Sequence, residues 1–142
     1  MNQKKYLLIA VKPEFANKIV ENEKTIELRK TKPNVKAGDF LIIYSSSPVK
    51  AIIGFGLIKQ IIVTTPTQMW ENYSLKVGID KERFVDYYKD KERSIGIEIE
   101  NMKLVNPISL KDIRVLETNF HPPQIYRYIS NNIFESLNIL TT

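Results

Sequence analysis

The stretch "VKAIIGFGLIKQIIV", residues 49–63, constrains the fold more than any other part of this chain. It is dense in β-branched residues and runs well past the mean strand length of about 5–6 residues. Gly54 and Gly56 interrupt it, and glycines inside a strand mark a bulge or the sharp bend of a barrel corner. "SIGIEIENMKLV" alternates with period two, which sets Ile95, Ile97 and Ile99 inward and Glu98 and Glu100 outward. Tyr6 to Val11 and "FLIIYSS" read as further strands, the second preceded by a loop that closes on a Gly-Asp turn. Strands this long, with short segments between them, predict a sheet that curls on itself.

Helices fill the intervals. Pro13 suits the first turn of a helix, and Phe15, Ala16, Ile19 and Val20 give it one apolar stripe. In "TPTQMWENY", Thr65 is the expected N-cap, with Pro66 at the first helical position and Gln68 completing a capping box. Asp80 caps a further helix carrying Phe84, Tyr87 and Tyr88 on one face, and Ser109 with Asp112 opens "SLKDIRVLE". "PPQIYRYISNNIFESL" reads as a final helical region, with Ile125 and Ile129 one turn apart. The class is α+β: a curled sheet or small barrel decorated by short helices. No repeat or linker divides the chain, so residues 1–142 are expected to form a single domain.

The 142 residues include no cysteine, which excludes disulfides, thiolate metal sites and cysteine nucleophiles. The apolar run Leu7 to Val11 is too short for a signal-peptide core, and no segment approaches a membrane span, so a cytoplasmic protein is expected. One histidine, His121, cannot build a zinc site of the usual kind, and a serine triad would have to recruit it. "GFG" lacks the spacing and the following helix of a phosphate loop. Neither a metal nor a cofactor is expected. The net charge of +5 is localised: residues 1–60 hold eleven Lys and Arg against five Asp and Glu, and the remainder is nearly balanced. A basic surface of this kind attracts polyanions by releasing their counterions, so nucleic acid is the leading partner class, against a merely solvated lysine-rich surface.

The basic part contains "ENEKTIELRK", residues 21–30. As a strand, Thr25 to Arg29 would place Ile26 and Leu28 on one face and Thr25, Glu27 and Arg29 on the other, with Lys24 at the entry. Such a row forms either a solvated edge or the wall of a polar pocket; its place directly after a helix end, with both signs of charge, predicts the pocket. The spacing N-x-K-x-x-E-x-R resembles the G-x-K-x-x-E-x-R signature of the ASCH domain family, part of the PUA-like superfamily of RNA-associated barrels. Asn22 stands where that signature has glycine, a mild departure because both residues tolerate the left-handed conformation that ends a helix. "VKPEFANKIVENEKTIELRK", "VKAGDFLIIYSSSPVKAIIGFG", "PTQMWE" and "PPQIYRY" resemble successive parts of small stand-alone members, so the likeness runs over roughly Tyr6 to Ile129.

The resemblance implies a PUA-like pseudo-barrel with a cleft lined by the motif, suited to RNA or a modified nucleotide. Lys12, Lys24 and Arg29 can hold phosphate, and Glu27 can accept from a base amino group or hold Arg29 in place. Tyr44, Trp70 and Tyr126 are candidate stacking surfaces, Tyr44 first because it ends a strand beside "SSSPVK". Two enzymatic alternatives follow from the family. Some members hydrolyse N4-acetylcytidine with a Lys base, a Thr nucleophile three residues later and a Glu; Lys24 matches the Lys, but Glu27 occupies the nucleophile position and Thr25 is no obvious substitute. Of the catalytic candidates Lys24, Thr25 and Glu27, the last could still act as a general base on water. Other members are ribonucleases using Tyr, Lys and Ser, types present here as Tyr44, Ser45 to Ser47 and Lys50. A protein-interaction module is the third class.

Overall fold

The long apolar run forms one continuous strand in the computed structural model of the protein, which describes residues 3–141. In chain order the elements are β1 (Tyr6–Val11), α1 (Pro13–Val20), β2 (Ile26–Arg29), β3 (Phe40–Ser45), β4 (Ala51–Thr64), α2 (Pro66–Tyr73), α3 (Lys81–Tyr87), β5 (Ser94–Ser109), α4 (Leu110–Leu116), β6 (Tyr126–Ile129) and α5 (Asn131–Leu140). All six strands join one sheet in the order β2-β5-β4-β3-β1-β6, with β1 and β3 parallel and the other pairs antiparallel. The result is a curled half-barrel.

The glycines do what the pattern predicts. The β4–β5 register shifts at both glycines, between Ile52 and Gly54 and between Phe55 and Leu57, where the extra residues lie on β5, and a third time between Ile58 and Gln60, where the extra residue lies on β4. Gly54 also lets α1 approach the concave face, because a Cβ there would lie 2.6 Å from Val20 Cγ1. On that face Leu7, Ile9, Ile43, Ile97 and Ile99 pack with Ala16 and Ile19 of α1. On the convex face Leu8, Ile42, Tyr44 and Ile52 pack with Ile113 of α4 and Leu137 of α5. A third cluster joins Ile26 and Leu28 of β2 to Met69 of α2 and Phe84 and Tyr88 near α3.

Three expectations need correction. The C-terminal segment is not wholly helical: Tyr126–Ile129 is β6, paired antiparallel to β1, and the helix begins only after Ser130, whose Oγ accepts from the Ile133 amide. Its Tyr-Arg-Tyr-Ile sequence favours a strand, and the free edge of β1 supplies the backbone partners that a helix would forgo. Glu98 is not a solvated outward residue. It lies on the face opposite Ile97, but the segment after α2 covers it, leaving it 4% exposed with Gln60 Nε2 donating to Oε1 and Lys76 Nζ to Oε2. Thr65 does cap α2 by accepting from the Gln68 amide, but the Gln68 side chain accepts from Thr64 Oγ1 in place of closing the box. The caps at Asp80 and Ser109 form as expected.

Among the described residues no helix is long and apolar enough to cross a membrane. Replacing Gly54 by alanine tests the contact that seats α1. The new methyl would press on Val20 Cγ1 at 2.6 Å and Met102 Sδ at 3.1 Å. Overpacking of this kind costs about 1–3 kcal/mol, so the urea midpoint of Gly54→Ala should fall accordingly. An unchanged midpoint would mean that α1 does not lie this close to β4.

Candidate functional site

Asn22 starts the site. Its φ of 63° turns the chain sharply after α1, and the amides of Glu23 and Lys24 both donate to the Lys18 carbonyl. This is the left-handed helix end that a Gly or Asn at that position allows. The chain then enters β2 beneath the loop after α2, whose Lys76 carbonyl accepts from the amides of Thr25 and Ile26. Gly78, at φ +62°, lies against the Lys24 stem so closely that a Cβ would sit 2.7 Å from Lys24 Cβ. Lys24 is thereby driven inward. Its Nζ donates to the Val77 carbonyl and lies 3.5 Å from Glu27 Oε1.

Glu27 and Arg29 follow at the alternate positions of β2, opposite Ile97 and Ile95 of β5 and therefore on the concave face. Glu27 Oε2 is 2.8 Å from Arg29 Nη2. The same guanidinium donates from Nη2 to the Ala10 carbonyl at 3.1 Å and from Nη1 to the Ile125 carbonyl at 3.3 Å. Ala10 belongs to β1 and Ile125 directly precedes β6, so Arg29 reaches from one end of the sheet to the other. Arg29 Nε is buried and has no hydrogen-bond partner among the described residues. The row is a wall and not a solvated edge: Lys24, Glu27 and Arg29 are 3%, 7% and 9% exposed.

These side chains face a cavity of about 350 Å³. That volume lies at the lower end of small-molecule pockets, large enough for one base with part of its sugar. Phe15 and Tyr87 supply aromatic walls, and Lys12, Arg83 and Asp86 complete the lining with both signs of charge. Lys12 sits at the N-cap of α1, while Arg83, Asp86 and Tyr87 share one side of α3. The helix is held over β2 by its aromatic end. Tyr87 Oη donates to the Leu28 carbonyl, and Tyr88 Oη lies 2.9 Å from the carbonyl of Arg29. Burial raises the Tyr88 phenol far above its ordinary range, so this hydroxyl stays a donor.

Of the residues singled out from the sequence, Lys12, Lys24, Glu27 and Arg29 meet in this pocket. The others lie elsewhere. Tyr44 is 1% exposed inside the convex core, with burial pushing its phenol up, so it cannot serve as a stacking surface. Ser45 is fully buried next to it, and Lys50 is exposed at φ 51° before β4. Trp70 lines a separate groove with Phe84, and half-buried Tyr126 packs against the concave core. Thr25 is half-buried and absent from the pocket lining. Phe15, Arg83, Asp86 and Tyr87 were not anticipated. Phe15 carried a signal, one turn into a helix that begins beside Lys12, but nothing local shows that α3 folds over β2. Among the described residues no three His, Cys, Asp or Glu side chains are grouped to hold a metal.

Comparisons with known proteins agree with this architecture. The family described as a domain of unknown function, DUF365, matches residues 7–129. A relative from Zymomonas mobilis subsp. mobilis, named an ASCH domain-containing ribonuclease, is 27% identical over 139 residues, spanning 98% of this chain and 94% of the relative. The crystal structure of ASCH from Zymomonas mobilis superposes with a TM-score of 0.94 at 27% identity, covering 99% of this chain and 98% of that one. The N-terminal domain of Staphylothermus marinus McrB, at 12% identity and a TM-score of 0.65 over 98% of each chain, shares the fold alone. The ASCH likeness carried by the motif thus extends over nearly the whole chain.

Burial pushes the Lys24 ammonium below the ordinary lysine value of 10.5, and the Glu27 carboxylate opposes this only in part. With the folded-state value below the unfolded one, the unfolded chain holds more protons in the interval below 10.5. Lys24 therefore makes the fold more stable as the pH rises toward that value. Urea unfolding of wild type and Lys24→Met at several alkaline pH values isolates this contribution. The wild type should gain stability relative to the variant as the pH rises. Parallel pH profiles would place Lys24 in water.

Proposed function

We propose that this chain, which belongs to the DUF365 family and has the ASCH fold, is an RNA-binding domain whose motif pocket receives one unstacked base of a single strand. The observation that carries this reading is the convergence of buried Lys24, Glu27 and Arg29 on a cavity of about 350 Å³ walled by Phe15 and Tyr87. Sequence-specific RNA recognition works mainly on bases splayed out of the strand, held between aromatic faces and read along their edges. A carboxylate fixed by a cation accepts from an exocyclic amino group, as Glu does from the N4 of cytosine. Glu27, oriented by Arg29 Nη2 at 2.8 Å, supplies that acceptor and favours cytosine or adenine over uracil. Arg29 Nε, buried without a partner among the described residues, is a further donor for the base or for a water beside it. Lys12, exposed at the rim, suits a flanking phosphate, whereas Arg83 beside it is already held by Glu14 and Asp80.

A second reading, RNA cleavage, is favoured by the name of the Zymomonas mobilis relative. In this chain the residue types of that reading, Tyr44, Ser45 to Ser47 and Lys50, line neither the motif pocket nor the groove at Trp70. Tyr44 Oη and Ser45 Oγ are both buried without a hydrogen-bond partner among the described residues. Cleavage through Tyr44 would require the cover of α4 and α5 to lift from the convex core. An acyl transfer from N4-acetylcytidine gains no support, because the motif offers Glu27 where a hydroxyl nucleophile is needed and Thr25 does not reach the pocket. A carboxylate in that position would form a mixed anhydride, a far more labile species than a threonine ester.

Titration of a labelled oligocytidylate distinguishes pocket binding from general attraction to a basic surface. Affinity should fall steeply with salt, with a logarithmic slope near −0.7 for each phosphate contacted. Glu27→Gln keeps the shape of the side chain and removes its charge; it should weaken oligocytidylate by about tenfold, in the range of one base-edge contact, and leave the salt slope in place. Equal affinity of wild type and Glu27→Gln, with the salt slope intact, would show that RNA binds outside the motif pocket. RNA left intact after long incubation would speak against the second reading.

A further inference from the structure

Helix α3 has a concavity on each side. Arg83, Asp86 and Tyr87 line the motif pocket, whereas Lys81, Phe84, Val85 and Tyr88 line a groove of about 440 Å³ that α3 forms with Trp70 of α2. We propose that this groove is a second nucleotide subsite: a single RNA strand with one base in the motif pocket crosses α3 and stacks a neighbouring base on Trp70. The proposal rests on the RNA-binding reading of the motif pocket.

Two observations carry it. The first is how charge is sorted. Residues 80–93 hold five basic and five acidic side chains, so the segment as a whole attracts no anion. The groove nevertheless takes Lys81, Lys89 and Lys91 from that segment and none of its acids; Glu71 of α2 is the one acidic side chain in the lining. A solvated helix with mixed charges has no need of this segregation, whereas a track for phosphates does. The second is aromatic continuity. Tyr87 at the motif pocket meets Tyr88 at 4.8 Å between ring centroids, Tyr88 meets Phe84 at 5.1 Å, and Phe84 meets Trp70 at 5.0 Å. Phe84 and Tyr88 are buried and fix the floor, while Trp70 stays half-exposed at the groove. Lys30 Nζ lies 4.5 Å from the Tyr87 ring at the start of the crossing. A helix with its side chains is about 10–12 Å across, a span that a few extended nucleotides cover.

Trp70 is the single tryptophan of the chain, so intrinsic emission excited selectively from tryptophan reports on this groove directly. The probes are cytidine monophosphate, which is too short to cross α3, and a short oligocytidylate. The oligocytidylate should quench Trp70 saturably, and the mononucleotide should not. The exposed pair Lys89→Ala/Lys91→Ala, which leaves the core untouched, should lower the salt slope by roughly 0.7 for each lost phosphate contact. Trp70→Phe, which keeps a ring against Phe84, should bind at near wild-type strength, while Trp70→Ala should lose about tenfold. Oligocytidylate binding that depends on Glu27 but leaves both Trp70 emission and the lysine variant unchanged would overturn the groove and spare the pocket. Quenching that is indifferent to Glu27→Gln would support the groove and overturn the pocket. Absence of any oligocytidylate binding would overturn both.

Discussion

Arg29 ties together the two ends of an open sheet. It sits on the edge strand β2, yet its guanidinium donates to the carbonyl of Ala10 in β1 and to that of Ile125 before β6, at the other end of the strand order. Curling the sheet far enough for this contact is the task of the β4–β5 register shifts around Gly54 and Gly56, together with the close seat of α1 that Gly54 permits. Without a group that spans the gap, the concave face would open and the carbonyls facing it would need water. An arginine suits the position because its planar fork serves several acceptors at once and it stays charged when buried. Glu27 balances that charge from the same strand, and Lys24 extends the row beneath the loop at Gly78.

The same contact limits what the pocket can do. Removing one partner of a buried ion pair typically costs about 3–5 kcal/mol, far more than breaking an exposed pair such as Arg83 with Glu14. The motif row is therefore structural before it is functional, and its polar atoms are held in fixed directions. Fixed donors and acceptors in a site shielded from water are the requirement for reading a base edge, since little ordering remains to be done on binding. They are a poor starting point for acyl transfer, which needs a hydroxyl nucleophile beside the base. In the proposed function, affinity for a polyanion and selectivity for one base would fall to different residues: exposed lysines at the rim and across α3, and the buried row below.

Period-two alternation made most of the sheet legible, because burial of one face imposes it directly on the sequence. The caps at Thr65, Asp80 and Ser109 were legible for a similar reason, each being a local solution to unpaired helix amides. Lys24, Glu27 and Arg29 could be placed in one row because strand geometry alone aligns them. What remained hidden depended on distant chain segments. The Tyr126–Ile129 strand exists because β1 offers it an edge, and Glu98 is buried because the loop after α2 lies over it. Tyr44 sat beside a polar turn in sequence, but α4 and α5 pack over it from the far end of the chain. The walls supplied by Tyr87 and Arg83 come from a helix whose docking onto β2 is fixed by two tyrosine hydroxyls, and no periodicity signals that.

Amide hydrogen exchange in the free protein and with saturating oligocytidylate tests most directly whether the row that closes the sheet is also the row that meets RNA. Added protection should appear in β2, at Ala10 to Lys12 and around Ile125, the segments joined by Arg29. Protection confined to a separate concavity, lined by Lys4, Lys5 and Tyr128 along the free edge of β6, with β2 exchanging as in the free protein, would contradict the account.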